Sequence, residues 1–353
     1  MPDVEFFIAR PTHYWMIDQP IDPSFRFARR YEEAGFDGLL FFDTQNLAPE
    51  CYVSLTAAAK ETTSLKLGTG VTNPRTRHAA ATASAFASLQ AVSGGRAYLG
   101  IGRGDSALAH IGYTPSPVPE FAQYLSDLTT YLSGKEVAFP KDSDIQELEL
   151  GDHPETSHII WLSDIPPVPV GVAATGPRVI ELAATKADRV DFMLGANAER
   201  LRWGMDIARE VRAREGLNPL PASAYINMVV HDDSDQAWQM ATGAITSQAR
   251  FAAMHGKVNG PVSQTAEKTL SGIHNSYDMN QHGQHDPGLI TAEFAHEFGI
   301  YGPPGYCVDR LRELVDLGIS RFILIGGPEL AHPIPEVIGM AQRFVDEVMP
   351  EFK

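Results

Sequence analysis

Two glycine-rich segments end in residues able to hold a ligand. Leu65-Lys-Leu-Gly-Thr-Gly-Val-Thr-Asn-Pro74 leads to Thr72 and Asn73, and Ala97-Tyr-Leu-Gly-Ile-Gly-Arg-Gly-Asp105 leads to Arg103 and Asp105. Gly68, Gly70, Gly100, Gly102 and Gly104 strip side chains from these ends, which permits unusual backbone angles and close approach of a ligand. Thr175-Gly176-Pro177 opens a helix in the pattern of an anion site. Backbone N–H groups and the helix dipole attract a phosphate there, and Thr175 adds a hydroxyl. The same residues also read as an ordinary capped helix start. Asp43 closes an apolar run and can hold a ligand or place a proton, or simply cap its own turn. Thr44, Gln45 and Asn46 beside it supply further donors and acceptors.

His274, His282 and His285 invite a metal reading, but no Cys or paired carboxylate completes a ligand set. A polar loop folding over a site is expected instead, with no metal. His13, His78 and His110 fall near expected strand ends, where a histidine can act as acid or base. Asp43, Asn73 and His13 are the catalytic candidates. The expected cofactor-binding set is Thr44, Gly70, Val71, Thr72, Asn73, Gly102, Arg103, Asp105, Thr175, Gly176 and Pro177. Ser84 and Ser106 lack a Gly-x-Ser-x-Gly setting, which gives hydrolysis no support. Gly100 to Asp105 is not the dinucleotide fingerprint, because its third glycine comes too early.

Eight apolar runs position these residues. They begin with Val4–Ala9, Gly38–Phe42, the two glycine-rich runs, and Pro169–Ala174. Arg189–Leu194, Ala224–Val230 and Arg321–Ile325 complete the set. Helical patterns separate them, including Ala79–Val92, Arg178–Lys186, Trp238–Met254 and Pro335–Val348. Strand and helix alternate eight times, which predicts a (β/α)8 TIM barrel rather than an open sheet, as one domain over 1–353. Ligands of such barrels sit at the carboxyl ends of the strands, where all the candidates fall. Two excursions break the rhythm, at about 134–169 and 256–299. The first carries β-prone runs at Glu147–Leu150 and Ile159–Leu162 and is expected to hold a hairpin.

The chain has 353 residues, 44% of them hydrophobic, and a net charge of −16. A diffuse negative field disfavours nucleic acid as a partner. Cys51 and Cys307 are the only cysteines, which excludes a disulfide framework and suits a reducing cytoplasm. No apolar run is long enough to span a membrane.

The stretches Gly68-Thr-Gly-Val-Thr-Asn-Pro-Arg-Thr-Arg-His78, Thr82-Ala-Ser-Ala85 and Ser93 through Asp105 resemble the luciferase-like flavin-dependent oxidoreductases. Thr175-Gly-Pro177 and Gly302-Pro-Pro-Gly305 with Arg310-Leu-Arg-Glu-Leu314 match as well. The nearest branch looks like methylenetetrahydromethanopterin reductase. The resemblance implies a barrel that binds FMN or the deazaflavin coenzyme F420, with a small organic substrate, and commonly a homodimer. It implies a non-proline cis peptide at Gly70-Val71 behind the ring, and the phosphate at Thr175–Pro177 and the Gly102–Asp105 tip. Tyr14, Trp15, Phe41 and Phe42 are either pocket walls or core. Two places depart from the pattern. Thr44 stands where deazaflavin alcohol oxidisers carry a His, and Ala9 and Arg10 stand where the reductases carry an acid. Three functions therefore stay open. One is hydride transfer on a deazaflavin or flavin. Another is oxygenation with reduced FMN from a separate flavin reductase. The third is a non-catalytic barrel.

Overall fold

The computed structural model describes residues 4–13, 20–22, 24–282 and 288–353. Tyr14, Trp15 and His285 lie outside the described residues.

Eight parallel strands close into a barrel: β1 (Glu5–Arg10), β2 (Gly38–Phe41), β3 (Lys66–Thr69), β4 (Ala97–Ile101), β5 (Val170–Ala174), β6 (Arg189–Phe192), β7 (Ala222–Ile226) and β8 (Ile319–Leu324). Neighbours follow chain order, and β8 pairs with β1 from Glu5↔Arg321 to Ile8↔Leu324. The helices around it are α1 (Phe27–Glu33), α2 (Cys51–Glu61), α3 (Ala79–Ser93), α4 (Val118–Leu132), α5 (Pro177–Lys186), α6 (Ala198–Arg214), α7 (Pro304–Leu317) and α8 (Pro335–Arg343). The fold is thus the expected (β/α)8 barrel, and no described helix is long and apolar enough to cross a membrane.

Alternation along each strand sorts side chains into two cores. Phe6, Ile8, Leu39, Phe41, Ala224, Ile226, Phe322 and Leu324 face the helices. Phe7, Ala9, Leu40, Tyr98, Tyr225 and Ile323 fill the barrel. This settles Phe41 as core.

The glycines of β3 and β4 divide by task. A Cβ on Gly68 would lie 1.8 Å from the Tyr98 carbonyl oxygen, and one on Gly100 2.1 Å from that of Thr69. These two glycines bring the strands together, whereas Gly70, Gly102 and Gly104 remain to shape a ligand space. Below that space, Tyr98 donates to Asp191 Oδ2 at 2.7 Å, and Arg321 bonds Glu5 Oε2 at 2.7 and 2.9 Å.

Several element boundaries differ from expectation. The hairpin of the first excursion pairs Val137–Ala138 with Thr156–Ser157, not the two β-prone runs. Ile145–Leu148 is one 3-10 turn. Leu148, Leu150, Ile160 and Trp161 are exposed, so those runs find no sheet face to pack on, and strand propensity reports such packing. The seventh strand leaves the barrel at Asn227, and Met228–Val230 pairs in parallel with Ile300–Gly302. The expected Trp238–Met254 helix splits into Ser234–Met240, Thr242–Ala249 and a turn at Arg250–Ala253. The second excursion is not mainly loop. Helices Gln264–Ser276 and Ala292–Phe298 start at Ser263 and Thr291, whose side chains cap them. Leu270, Ile273, Phe294 and Phe298 build a separate small core there.

Candidate active site

A cavity of about 390 Å³ opens at the carboxyl ends of the strands. Its wall runs along the rim from β2 to β6, continues onto β8 through Ile325, and is closed by the second excursion. Asp43, Thr44, Gly70, Val71, Asn73, Gly102, Arg103, Asp105, Thr175, Gly176 and Pro177 all line it, together with Phe42. The glycine-rich tips therefore face the same space as the fifth strand's end. The Gly70-Val71 peptide is cis, as the resemblance implied. A Cβ on Gly70 would sit 2.9 Å from Leu40 Cβ, so the barrel interior itself demands glycine there.

Two expected site residues are placed elsewhere. His13 follows the end of β1 and does not line the cavity. A residue just past a strand end need not turn inward, and here the wall at that side is Phe42 and Ile325. Thr72 is buried behind the wall, where its hydroxyl donates to Asp43 Oδ2 at 2.6 Å. It does not line the cavity.

Asp43 is the centre of a charged chain. Its Oδ2 also accepts from Arg77 Nη1 at 2.7 Å, and Arg77 continues to Glu50 and stacks 4.1 Å over Tyr52. Tyr52 Oη lies 3.2 Å from Thr72 Oγ1. Burial pushes the Asp43 carboxyl up, and Arg77 and Thr72 partly offset it. Beside Asp43, Thr44 Oγ1 and Asn73 Nδ2 are buried without hydrogen-bond partners among the described residues. Buried polar atoms are nearly always paired, so an unpaired acceptor and donor on a cavity wall mark a ligand position.

The β5 end has the opposite character. Gly176 caps α5 with no side-chain bond, and its N–H end faces the cavity. Arg103, Arg178 and His255 gather beside it, with Arg103 Nη1 3.1 Å from His255 Nε2. Burial, and then Arg178, lowers the pKa of Arg103; burial, Arg103 and Arg178 lower that of His255. Among the described residues neither arginine is ion-paired to a carboxylate. Cations crowded at a helix N-terminus without a counter-ion form an anion site.

The helix Thr242–Ala249 and the turn after it contribute Ser247, Arg250, Phe251, Met254 and His255, and the second excursion contributes Asn259 and His282. Arg250 is held by Asp105 and by Ser106 Oγ at 3.2 Å, and stacks over Phe251 at 4.2 Å. Sequence reasoning missed these, apart from His282, which it weighed for a metal, and it missed Arg77 and Arg178. Arg77 and Arg178 stand inside or beside recognised motifs, whereas the excursion residues carry no local signal. Glu329, from the loop after β8, lies 3.7 Å from Arg10 Nε and accepts from Tyr31 Oη at 2.9 Å. His78 caps α3, and His110 lies 3.2 Å from the Met279 carbonyl. Among the described residues no group of His, Cys, Asp and Glu is placed to hold a metal.

The chain is 29% identical to a 5,10-methylenetetrahydromethanopterin reductase from Methanolobus tindarius, over 88% of this chain and 92% of that one. It is 28% identical to an F420-dependent glucose-6-phosphate dehydrogenase from Intrasporangium calvum, over 84% and 86%. The coenzyme F420-dependent tetrahydromethanopterin reductase structure from Methanopyrus kandleri shares its fold, with a TM-score of 0.74, 23% identity, and 99% and 100% of the two chains covered. A monooxygenase structure from Streptomyces bottropensis does so at 0.68 and 18% identity, covering 99% and 100%. Residues 5–321 match the luciferase-like monooxygenase family, and the chain belongs to it.

Proposed function

We propose that this protein is a deazaflavin- or flavin-dependent oxidoreductase acting on a small organic substrate, with coenzyme F420 preferred over FMN. The carrying observation is the polarity of the cavity. One end offers Thr44 Oγ1 and Asn73 Nδ2, and the other offers cations that no described carboxylate pairs, at a helix N-terminus. The ends are set apart by the rim from β2 to β5, roughly 14 Å at about 4.8 Å per strand. A flat ring with a polar edge and an anionic tail fits this arrangement. Between the ends the wall is backbone and small side chains, with the cis Gly70-Val71 peptide as a shelf.

The residues divide the work. Thr44 and Asn73 orient the ring edge, while Gly176, Thr175, Arg103 and Arg178 hold the phosphate. Asp43 faces the space beside the ring, fixed by Arg77 and Thr72, and holds a polar group of the ligand or a proton. Phe42, Phe251, Met193 and Met254 keep water out. The bound group supplies hydride transfer, which no side chain here can perform.

The preference for F420 rests on the similarity to F420-dependent proteins. Titration of the purified protein with F420, FMN and reduced FMN, followed by fluorescence quenching, tests it. Tight binding of F420 alone is expected. Tight binding of reduced FMN, with oxygen uptake, would move the protein to the monooxygenase reading and require a flavin reductase as partner. No binding of any of the three would leave a non-catalytic barrel. A cytoplasmic homodimer accords with this reading.

A further inference from the structure

One cation on the cavity wall has no task in the reading above. Arg250 lines the cavity and is only 9% exposed. It opens the turn Arg250–Ala253, which follows the helix Thr242–Ala249. Its Nη2 donates to Asp105 and, at 3.2 Å, to Ser106 Oγ. Its Cζ lies 4.2 Å over the Phe251 ring and 4.7 Å over the Tyr277 ring. A carboxylate, a hydroxyl and two rings thus fix the guanidinium in place. Only Nη2 is engaged in doing so. Among the described residues Nη1 makes no hydrogen bond, and Nε is buried without a partner. A nine-tenths-buried arginine with unpaired N–H groups on a cavity wall marks a ligand position.

We propose that Arg250 anchors a carboxylate of the substrate, so that the protein acts on a small organic acid with an apolar body. This rests on the oxidoreductase reading above. An arginine held in place offers its N–H groups in directions that match a carboxylate, and such charge-assisted bonds are about twice as strong as neutral ones. The charges around the cavity leave room for a second anion beside the cofactor phosphate. Asp43 is paired with Arg77, so the other wall arginines, Arg103, Arg178 and Arg250, face the single carboxylate of Asp105. Three cations against one carboxylate leave an excess of two, and a singly charged phosphate group removes one of these. The body of the substrate meets Ala107, Pro115 and Val118, which line the cavity and follow Ser106 in the chain. No bond of the carboxylate changes. The group is held while the hydride moves elsewhere on the molecule. Asp105 is a positioning residue, fixing the guanidinium from its Nη2 side.

Benzoate and benzamide, which share one shape and differ in charge, serve as probes, titrated into the full chain by calorimetry. The wild type should bind benzoate more tightly than benzamide. Arg250→Gln should weaken benzoate binding roughly thirty-fold, the loss of one charge-assisted hydrogen bond, and leave benzamide unchanged. Arg250→Lys keeps the charge and the partner of Asp105 but not the planar fork. It should fall between the two, and it carries the test if Arg250→Gln does not fold. Equal benzoate affinity in the wild type and every folded variant overturns the proposal. So does a wild type that binds no benzoate, or that binds benzamide as tightly. Loss of F420 binding in Arg250→Lys with benzoate unchanged would make Arg250 a cofactor contact and overturn it too. Failure of the wild type to bind F420, FMN or reduced FMN counts against the oxidoreductase reading alone, because the benzoate arms need no cofactor.

Discussion

Gly176→Asp separates binding from folding, because the two should move in opposite directions. Gly176 has φ −127° and ψ 159°, an extended conformation any residue adopts. A Cβ there would meet only the Asn259 side chain, at 3.6 and 3.7 Å, which is ordinary contact. Alanine therefore fits, and Gly176→Ala is the control. Aspartate adds a carboxylate at a helix start that now has no side-chain cap. Such a cap stabilises a helix by about 1 kcal/mol, so the melting temperature should rise. The same carboxylate faces the phosphate position. Two unit charges about 5 Å apart interact by roughly 3 kcal/mol at an effective dielectric constant of ~20. Partial offset by Arg103 and Arg178 leaves about 2 kcal/mol, or roughly 30-fold in Kd. Fluorescence titration with F420 and FMN reads that change, and riboflavin, which has no phosphate, should be insensitive. Equal affinity of the Asp and Ala variants for F420 and FMN would refute the phosphate placement.

Three further outcomes are expected. Arg77→Gln should destabilise the fold by about 2 kcal/mol, since it strips the buried Asp43 carboxylate of its cation; Asp43→Asn in the same background should recover most of that in chemical denaturation. Gly171→Ala should cost about 3 kcal/mol, because its Cβ would fall 1.8 Å from Tyr98 Oη and 2.4 Å from Asp191 Oδ2, and an unchanged melting temperature would disprove that contact. Burial raises the Glu32 pKa, but the backbone N–H groups of Ser64, Thr63 and Leu65 outweigh it and bring it down to about 2. A depressed carboxylate stabilises above its unfolded value and loses that contribution as pH falls from about 4.5 to about 2; Glu32→Gln should flatten the acid limb in that window.

The barrel was legible because its signals are local and repeated. Alternation in Phe6-Phe7-Ile8-Ala9 and Leu39-Leu40-Phe41 marks strands with two buried faces, and a glycine or proline closes most intervening helices. The first excursion misled for a related reason. Ile159–Leu162 carries strand-forming residues, but residue type alone cannot tell whether a neighbouring strand will be there to pair. Asn227, where the seventh strand leaves the barrel, shows the same limit, since it bonds the Ile325 carbonyl at 2.6 Å, nearly a hundred residues away in the chain.

The site was legible where backbone shape makes it and illegible where distant charges do. Gly70, Gly102 and Gly176 announce themselves, because glycine at a strand end or helix start has few other uses. Arg103 could be listed from its motif, but its lack of a counter-ion could not, since that depends on Arg178 and His255 arriving from two other elements. Thr72 was read as a ligand contact; the structure sets it behind the cavity wall with its hydroxyl 2.6 Å from Asp43, and a threonine next to Asn73 suits either place, so only the fold could tell them apart. His274, His282 and His285 were weighed for a metal; His285 lies outside the described residues, and among the described residues no group of His, Cys, Asp and Glu is placed to hold one. His282 lines the cavity, with the Tyr277 hydroxyl 2.6 Å from its Nδ1, a neighbour that no local sequence pattern announces.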